Sequence, residues 1–200
     1  MYPDVSGDQP YGSNRILEKM ESGSDNELMG EVRSGDLDKL GLLFERHKDA
    51  LFGYFYRNTH SAETSEDLVQ SVFLRILKYR TRFSGDGKFT TWMYHIAHNV
   101  HTDHYKKNNT QANINRIFTV EPKNCDAAEK LFVKSETVQL IEKALRRLSK
   151  DKREILVLSR YQGLKYREIS EILGCSEGAV KVRIFRAIMN LKQIYAELEG

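Results

Sequence analysis

Two cysteines, Cys125 and Cys175, are all that this chain of 200 residues carries, too few for a disulfide scaffold. No apolar run reaches the ~20 residues that a membrane-spanning helix needs, so direct membrane insertion is not expected. The N-terminus lacks the basic-then-apolar order of a signal peptide, and a cytoplasmic protein is the default. An enzyme acting on DNA would need a nucleophilic Ser or Tyr beside an arginine cluster, or grouped carboxylates for a metal. Asp86 and Asp103 are too few and too isolated for that. Catalytic residues and cofactors are therefore not expected. The 40% hydrophobic content suits one domain or two small ones.

Charge is unevenly spread. The formal net charge is +3, yet residues 1–34 hold seven acids against three bases, and residues 141–192 hold thirteen Lys and Arg against six acids. A basic C-terminal segment is the electrostatic footprint of a nucleic-acid binder.

Within that segment, residues 165–191 read as two short helices joined by a tight turn. Ile169, Ile172 and Leu173 share one face, and Gly174 supplies the left-handed stop. Ser176 caps a second helix with Glu177 in its first turn. Val180, Ile184, Ala187, Ile188 and Leu191 form its inner stripe. This is the layout of a helix-turn-helix. The opposite face carries Gly178, Val182, Phe185, Arg186 and Met189, with Lys181 and Arg183 on the flanks. Apolar side chains on such a face pack on thymine methyls in a major groove while Lys and Arg reach phosphates. The alternative is that Phe185 and Met189 pack on another helix or subunit.

Ahead of it, residues 1 to about 25 are rich in Gly, Ser, Asp and Asn and read as a disordered lead-in. Helical periodicity starts at Asp36. A further helix runs from about Glu66, capped by Ser65, and is apolar on more than one side through Leu68, Val69, Val72, Phe73, Leu74, Ile76 and Leu77. Such a helix is either deeply buried or shared with a partner, with Asp67, Gln70, Arg75 and Lys78 at the edge. The loop 83–88 leads to a helix from about Trp92 to Lys107, capped by Thr90 or Thr91. Its inner stripe is Met93, Ile96, Ala97, Val100 and His104. Its outer side shows Thr91, His95, His98, Asn99, Thr102, Tyr105 and Lys106, next to Phe83 and Phe89. Flat, polar and basic groups together suit unstacked single-stranded bases, though a solvated surface has the same composition.

Histidines at 95, 98, 101 and 104 invite a metal reading. Steps of three drift around a helix, and only Asp103 stands near to complete a tetrahedral set, so they read as polar surface groups and no metal is expected. Residues 109–135 are Asn-rich, interrupted by Pro122, and read as a linker with a short helix near Ala127–Phe132. As flexible coil they span roughly 30 Å, and about 90 Å fully extended. The last domain then occupies residues 136–200, with Ser149 capping one helix and Gly163 ending it.

Three blocks, in order, resemble bacterial sigma factors of the extracytoplasmic-function (ECF) group. EDLVQSVFLRILK (66–78) resembles the helix by which sigma region 2 grips the polymerase clamp. FTTWMYHIAHNVHTDHYKK (89–107) resembles the stretch that melts and reads the −10 element. LSKDKREILVLSRYQGLKYREISEILGCSEGAVKVRIFRAIMNLK (148–192) resembles region 4, reader of the −35 element. The resemblance implies an all-α chain of two small domains: a region 2 helical bundle over residues 26–108 and a region 4 helix-turn-helix, joined by the linker. It implies core polymerase and promoter DNA as partners. An anti-sigma factor is a further candidate, since many members are held by one. Asp67, Leu68, Gln70, Phe73, Arg75 and Lys78 would bind the core. Phe83, Phe89, Thr91, Trp92, His95, His98, Asn99, Asp103, Lys106 and Lys107 would hold the −10 strand. Ser176, Glu177, Gly178, Lys181, Val182, Arg183, Phe185 and Arg186 would meet the −35 groove. A helix-turn-helix repressor or activator acting without polymerase is the alternative, but it leaves residues 66–107 without purpose.

Five positions depart from the family pattern. Val182 stands where Ser is common, Met93 where Leu is usual, and Lys165 where a capping Ser or Thr is frequent. His95 and His98 replace positions often filled by Arg, so phosphate contact there should be weaker at neutral pH.

Overall fold

The computed structural model describes residues 23–115 and 136–199. Among them every regular element is helical, as the hydrophobic spacing implies. The expected lead-in through residue 22 and most of the linker, with its helix at Ala127–Phe132, lie outside the described residues.

The first helix, α1 (Asp25–Ser34), begins within the expected lead-in. Ser24 accepts from the Glu27 backbone N–H, and the Glu27 carboxylate accepts from the Ser24 N–H at 2.6 Å, a capping box. Leu28, Met29 and Val32 are buried. Gly35 stops the helix in the left-handed region at φ 113°, where a Cβ would be strained.

Helix α2 (Asp38–Thr59) ends at His60, itself left-handed at φ 59°. Helix α3 (Ala62–Tyr79) follows directly, so its cap is Ser61, whose hydroxyl accepts from the Thr64 N–H at 3.2 Å. The expected cap, Ser65, is instead fully buried and donates to the Ser61 carbonyl at 2.6 Å. The sharp reversal at His60 fixes the helix start four residues earlier than the apolar stripe suggests.

A 3₁₀ turn (Arg80–Arg82) and the loop through Lys88 lead to α4 (Phe89–Asn115). Neither Thr90 nor Thr91 caps it. Asn26 of α1 does so from outside, its side-chain oxygen accepting from the Phe89 N–H at 2.7 Å while its amide donates to the Gly87 carbonyl at 2.8 Å. Capping by a residue 63 positions away leaves no local trace in the sequence. Phe83, Phe89 and Trp92 pack ring against ring at this end. At its other end α4 continues to Asn115, seven residues into the stretch read as linker.

The second half comprises α5 (Glu136–Arg147), α6 (Lys150–Leu156) running into a π turn (Val157–Tyr161), α7 (Tyr166–Leu173) and α8 (Glu177–Glu199). Ser149 precedes α6 but makes no side-chain cap bond. Gly174 ends α7 at φ 61°, and the Ser176 hydroxyl accepts from the Ala179 N–H at 3.2 Å, as the sequence predicts. At Lys165 the missing Ser or Thr is half replaced, because the Glu168 carboxylate accepts the Lys165 N–H at 2.7 Å. Ile169, Ile172, Val180, Ile184 and Ala187 close a core with Leu145, Leu148, Ile155 and Leu158.

The two halves pack together: α7 lies along α4, and α2 lies against α5, α6 and the π turn. Tyr54, Tyr94, His98, His101, Arg153, Glu154 and Gln162 meet there. Helical periodicity assigns several of these to solvent, since a polar residue on an outer face looks the same whether water or another domain covers it.

Candidate nucleic-acid interface

Helix α8 presents the face that its spacing predicts. Val180, Ile184 and Ala187 point into the core, leaving Lys181, Val182, Arg183, Phe185, Arg186 and Met189 outside. Phe185 is 65% exposed, Met189 52% and Val182 48%. Three large apolar side chains held in water beside three cations are a costly surface unless something covers them. Ser176, Glu177 and Gly178 are exposed at the helix N-terminus.

The α4 surface is more selective. His95, Asn99, Asp103, Lys106 and Lys107 are exposed. Phe83 and Phe89 are 3% and 1% exposed and Thr91 is 8% exposed, which corrects the expectation that they meet a strand directly. They form the floor on which half-buried Trp92 rests. Trp92, His95, Lys88 and Arg82 line a cavity of about 230 Å³. A neighbouring groove of about 460 Å³ runs past His95, Asn99 and Asp103 to Arg75 of α3. The Asp103 carboxylate accepts from Arg75 at 2.8 Å, joining the two surfaces that the sequence assigned separately.

On α3, Asp67, Gln70 and Lys78 are exposed and Arg75 is half-buried. Leu68 and Phe73 are not surface residues: at 5% and 7% exposure they belong to the core, Phe73 meeting Phe44 edge to face. The apolar side chain that does stand out is Leu74, 67% exposed. The breadth of the α3 apolar stripe signals such a residue, without saying which one it is.

The histidines do not form a row. His101 is 3% exposed, and His98 Nδ1 lies 2.8 Å from the Glu154 carboxylate on α6, both contrary to the reading as surface groups. His101 Nδ1 stands 3.7 Å from the same oxygen, and the Tyr54 hydroxyl donates to it. Burial pushes the Glu154 carboxyl up, yet the adjacent His101 ring and the hydrogen-bonded His98 prevail and hold it well below the usual carboxylate range. Burial and the neighbouring carboxylate push the Tyr54 hydroxyl well up. Burial lowers His95 and His104, with His98 and His101 as further causes. Among the described residues no three His, Cys, Asp or Glu side chains converge as metal ligands, and no helix is long and apolar enough to cross a membrane.

Helices of this order and these two faces coincide with two family models. Sigma-70 region 2 matches residues 43–111, and Sigma-70 region 4 matches residues 138–191. RNA polymerase sigma factor CarQ of Myxococcus xanthus is 31% identical over 172 residues, covering 86% of this chain and 97% of that protein. The ECF RNA polymerase sigma-E factor of Escherichia coli is 28% identical, covering 82% and 90%. RNA polymerase sigma-H factor of Pseudomonas aeruginosa is 26% identical, covering 82% and 89%. The fold is also that of CnrH, solved with the cytosolic domain of CnrY, with a TM-score of 0.65 at 24% identity over 86% of this chain and 97% of that one. Sigma factor RpoE of Bartonella quintana, solved with the anti-sigma factor NepR, gives 0.63 at 23% identity over 76% and 92%.

The chain belongs to the sigma-70 family of RNA polymerase sigma factors, in its extracytoplasmic-function group. It acts with RNA polymerase on promoter DNA to initiate transcription.

Proposed function

We propose a division of this task among three helices. Helix α8 reads the −35 element in the major groove. Val182, Phe185 and Met189 pack on thymine methyls, and Lys181, Arg183 and Arg186 reach phosphates or base edges. Helix α4 and the loop before it hold the opened −10 strand. Trp92 offers a flat face, His95 and Asn99 hydrogen-bond bases, and Lys88, Lys106 and Lys107 supply cations. Helix α3 docks on core polymerase through Asp67, Gln70, Leu74 and Lys78. Phe83, Phe89, Leu68 and Phe73 hold these surfaces in place from the core. The reaction itself is the polymerase's, so this chain contributes recognition rather than catalysis, and its place is the cytoplasm. An anti-sigma factor is a candidate partner, since CnrH and RpoE were solved with CnrY and NepR.

The observation that carries this reading is the α8 face, where Phe185 is 65% exposed between Arg183 and Arg186. Transcription with purified bacterial core polymerase on pooled genomic promoter fragments tests it. Discrete transcripts should require this protein, disappear with Phe185→Glu and fall with Asp67→Ala plus Gln70→Ala. Duplex binding without any protein-dependent transcript would favour a repressor instead.

A further inference from the structure

Helix α1 carries none of the contacts proposed above, and the Sigma-70 region 2 match begins only at residue 43. Its polar side chains nonetheless reach the loop before α4. Asn26 donates from its amide to the Gly87 carbonyl at 2.8 Å and accepts from the Phe89 N–H at 2.7 Å. Arg33 donates to the Phe83 carbonyl at 3.0 Å. Loop residues 84–88 are therefore tied at both ends to one helix. Asn26 and Arg33 are almost two full turns apart, which puts them on one face with about 10 Å between them along the axis. Such a helix acts as a ruler for the two ends of the loop.

The ruler is itself anchored. Asp25, next to Asn26, meets Arg46 at 3.0 Å and His47 at 2.8 Å on α2, while Leu28, Met29 and Val32 are buried. The loop has little to hold itself. Its sequence is Ser-Gly-Asp-Gly-Lys, all exposed, with Gly85 at φ 87°, and an unheld chain of that kind samples many conformations. Two further ties are weak. The Asp86 N–H reaches the Ser84 hydroxyl at 3.4 Å, and Lys88, its side chain 64% exposed, meets Glu168 at 2.7 Å.

What the loop shapes is part of the surface assigned to the −10 strand. Ser84, Gly87 and Lys88 wall the cavity of about 230 Å³ that Trp92 and His95 also line. Gly87 is the wall residue whose carbonyl Asn26 holds. A loop free to move would have to be ordered as the strand binds, and that lost entropy would weaken affinity.

We propose that Asn26, seconded by Arg33, is a positioning residue for −10 recognition: from α1 it fixes the loop that walls the Trp92 cavity, and it touches no DNA itself. This rests on the assignment of the loop and α4 to the −10 strand.

Trp92 is the chain's single tryptophan, so its fluorescence reads the loop directly. Quenching by acrylamide, a neutral solute, rises when the loop loosens. Anisotropy of a labelled 20-nucleotide single-stranded thymidine oligomer reads strand binding to the full-length protein, since stacking tolerates any base. Asn26→Ala should raise quenching and weaken oligomer binding by about threefold or more, with the salt slope unchanged. Arg33→Met should do the same to a smaller degree, and decides the matter if Asn26→Ala does not fold, because Arg33 is exposed. Asn26→Asp keeps an acceptor for the Phe89 N–H but loses the donor to Gly87. It should keep the parent's denaturation midpoint and still raise quenching; parental quenching there would reduce Asn26 to a helix cap. Lys88→Ala and His95→Ala probe the strand surface itself, and Lys88→Ala should also reduce the salt slope by about 0.7, one phosphate contact on a single strand. If these two weaken binding while quenching or binding stays parental in both Asn26→Ala and Arg33→Met, the positioning role alone is overturned. A reduced slope with Arg33→Met would make Arg33 a phosphate contact and overturn its part. Parental binding in all four variants overturns the assignment of the loop and α4 as well.

Discussion

Two phenylalanines separated by nearly half of the chain carry opposite meanings. Phe89 starts α4 at 1% exposure, packed against Phe83, Trp92 and the His47 ring. Phe185 stands on α8 at 65% exposure. Both lie in blocks that resemble DNA-reading segments. One builds the platform beneath Trp92 and the other stands exposed on its own helix, so residue type within a motif does not decide which side chains reach the surface. The contrast extends to their helices. The outer face of α8 is largely open, whereas that of α4 is partly covered by α6 and α7.

Truncating the two rings should split stability from binding. Phe89→Ala removes a fully buried ring and should cost about 3–5 kcal/mol of unfolding free energy, read by chemical denaturation. Phe185→Ala should leave the denaturation midpoint within error and weaken duplex promoter binding by about tenfold or more, the usual worth of a base-edge contact. Equal effects on stability from both would erase the distinction and place Phe185 in a core.

Leu74→Ala should give a smaller effect of the same kind on α3. Leu74 is 67% exposed whereas Phe73 beside it is 7% exposed, so loss of its side chain should leave folding alone. It should weaken core polymerase binding by about 1 kcal/mol, or fivefold, measured by competition against a reference sigma factor. Phe73→Ala should instead unfold region 2 before it affects the competition.

How far these distinctions are legible in the sequence follows from what sets them. The inner and outer faces of α8 come from one helix against one core, so spacing alone separates Val180, Ile184 and Ala187 from Val182, Phe185 and Met189. The stop at Gly174 and the cap at Ser176 are equally local. Helix α1 lies ahead of Asp36, where helical periodicity is read to begin, and is missed because the run of Gly, Ser and Asp before it masks its capping box and the spacing of Leu28, Met29 and Val32. The cap on α4 was not legible, because Asn26 reaches it across the fold. Nor was the burial of His101 and Glu154. A histidine on an outer face and a glutamate in a short, charged helix read as solvated until two domains meet, and nothing in either segment encodes that meeting by itself.

The same junction gives the subtlest expected effect, at its edge. His60 sits between α2 and α3 with its ring 2.9 Å from the Arg153 guanidinium. Burial, then the charges of Arg153 and Arg146, push its pKa down from 6.5 to about 4. Between those values the unfolded chain takes up a proton that the folded ring refuses, so stability drains as pH falls from about 6.5 to about 4. His95 and His104 are lowered as well and pull the same way. Glu154 acts in a different window: its lowered pKa gives stability that is complete above the ordinary carboxylate range and is lost only in stronger acid. His60→Asn isolates one contribution, because asparagine tolerates the left-handed backbone at φ 59° and does not titrate. The variant should lose less stability than the parent between pH 7.5 and pH 5, compared by urea unfolding at both. Parallel losses would mean that Arg153 leaves the ring when it is protonated, and that this edge of the junction opens before its centre does.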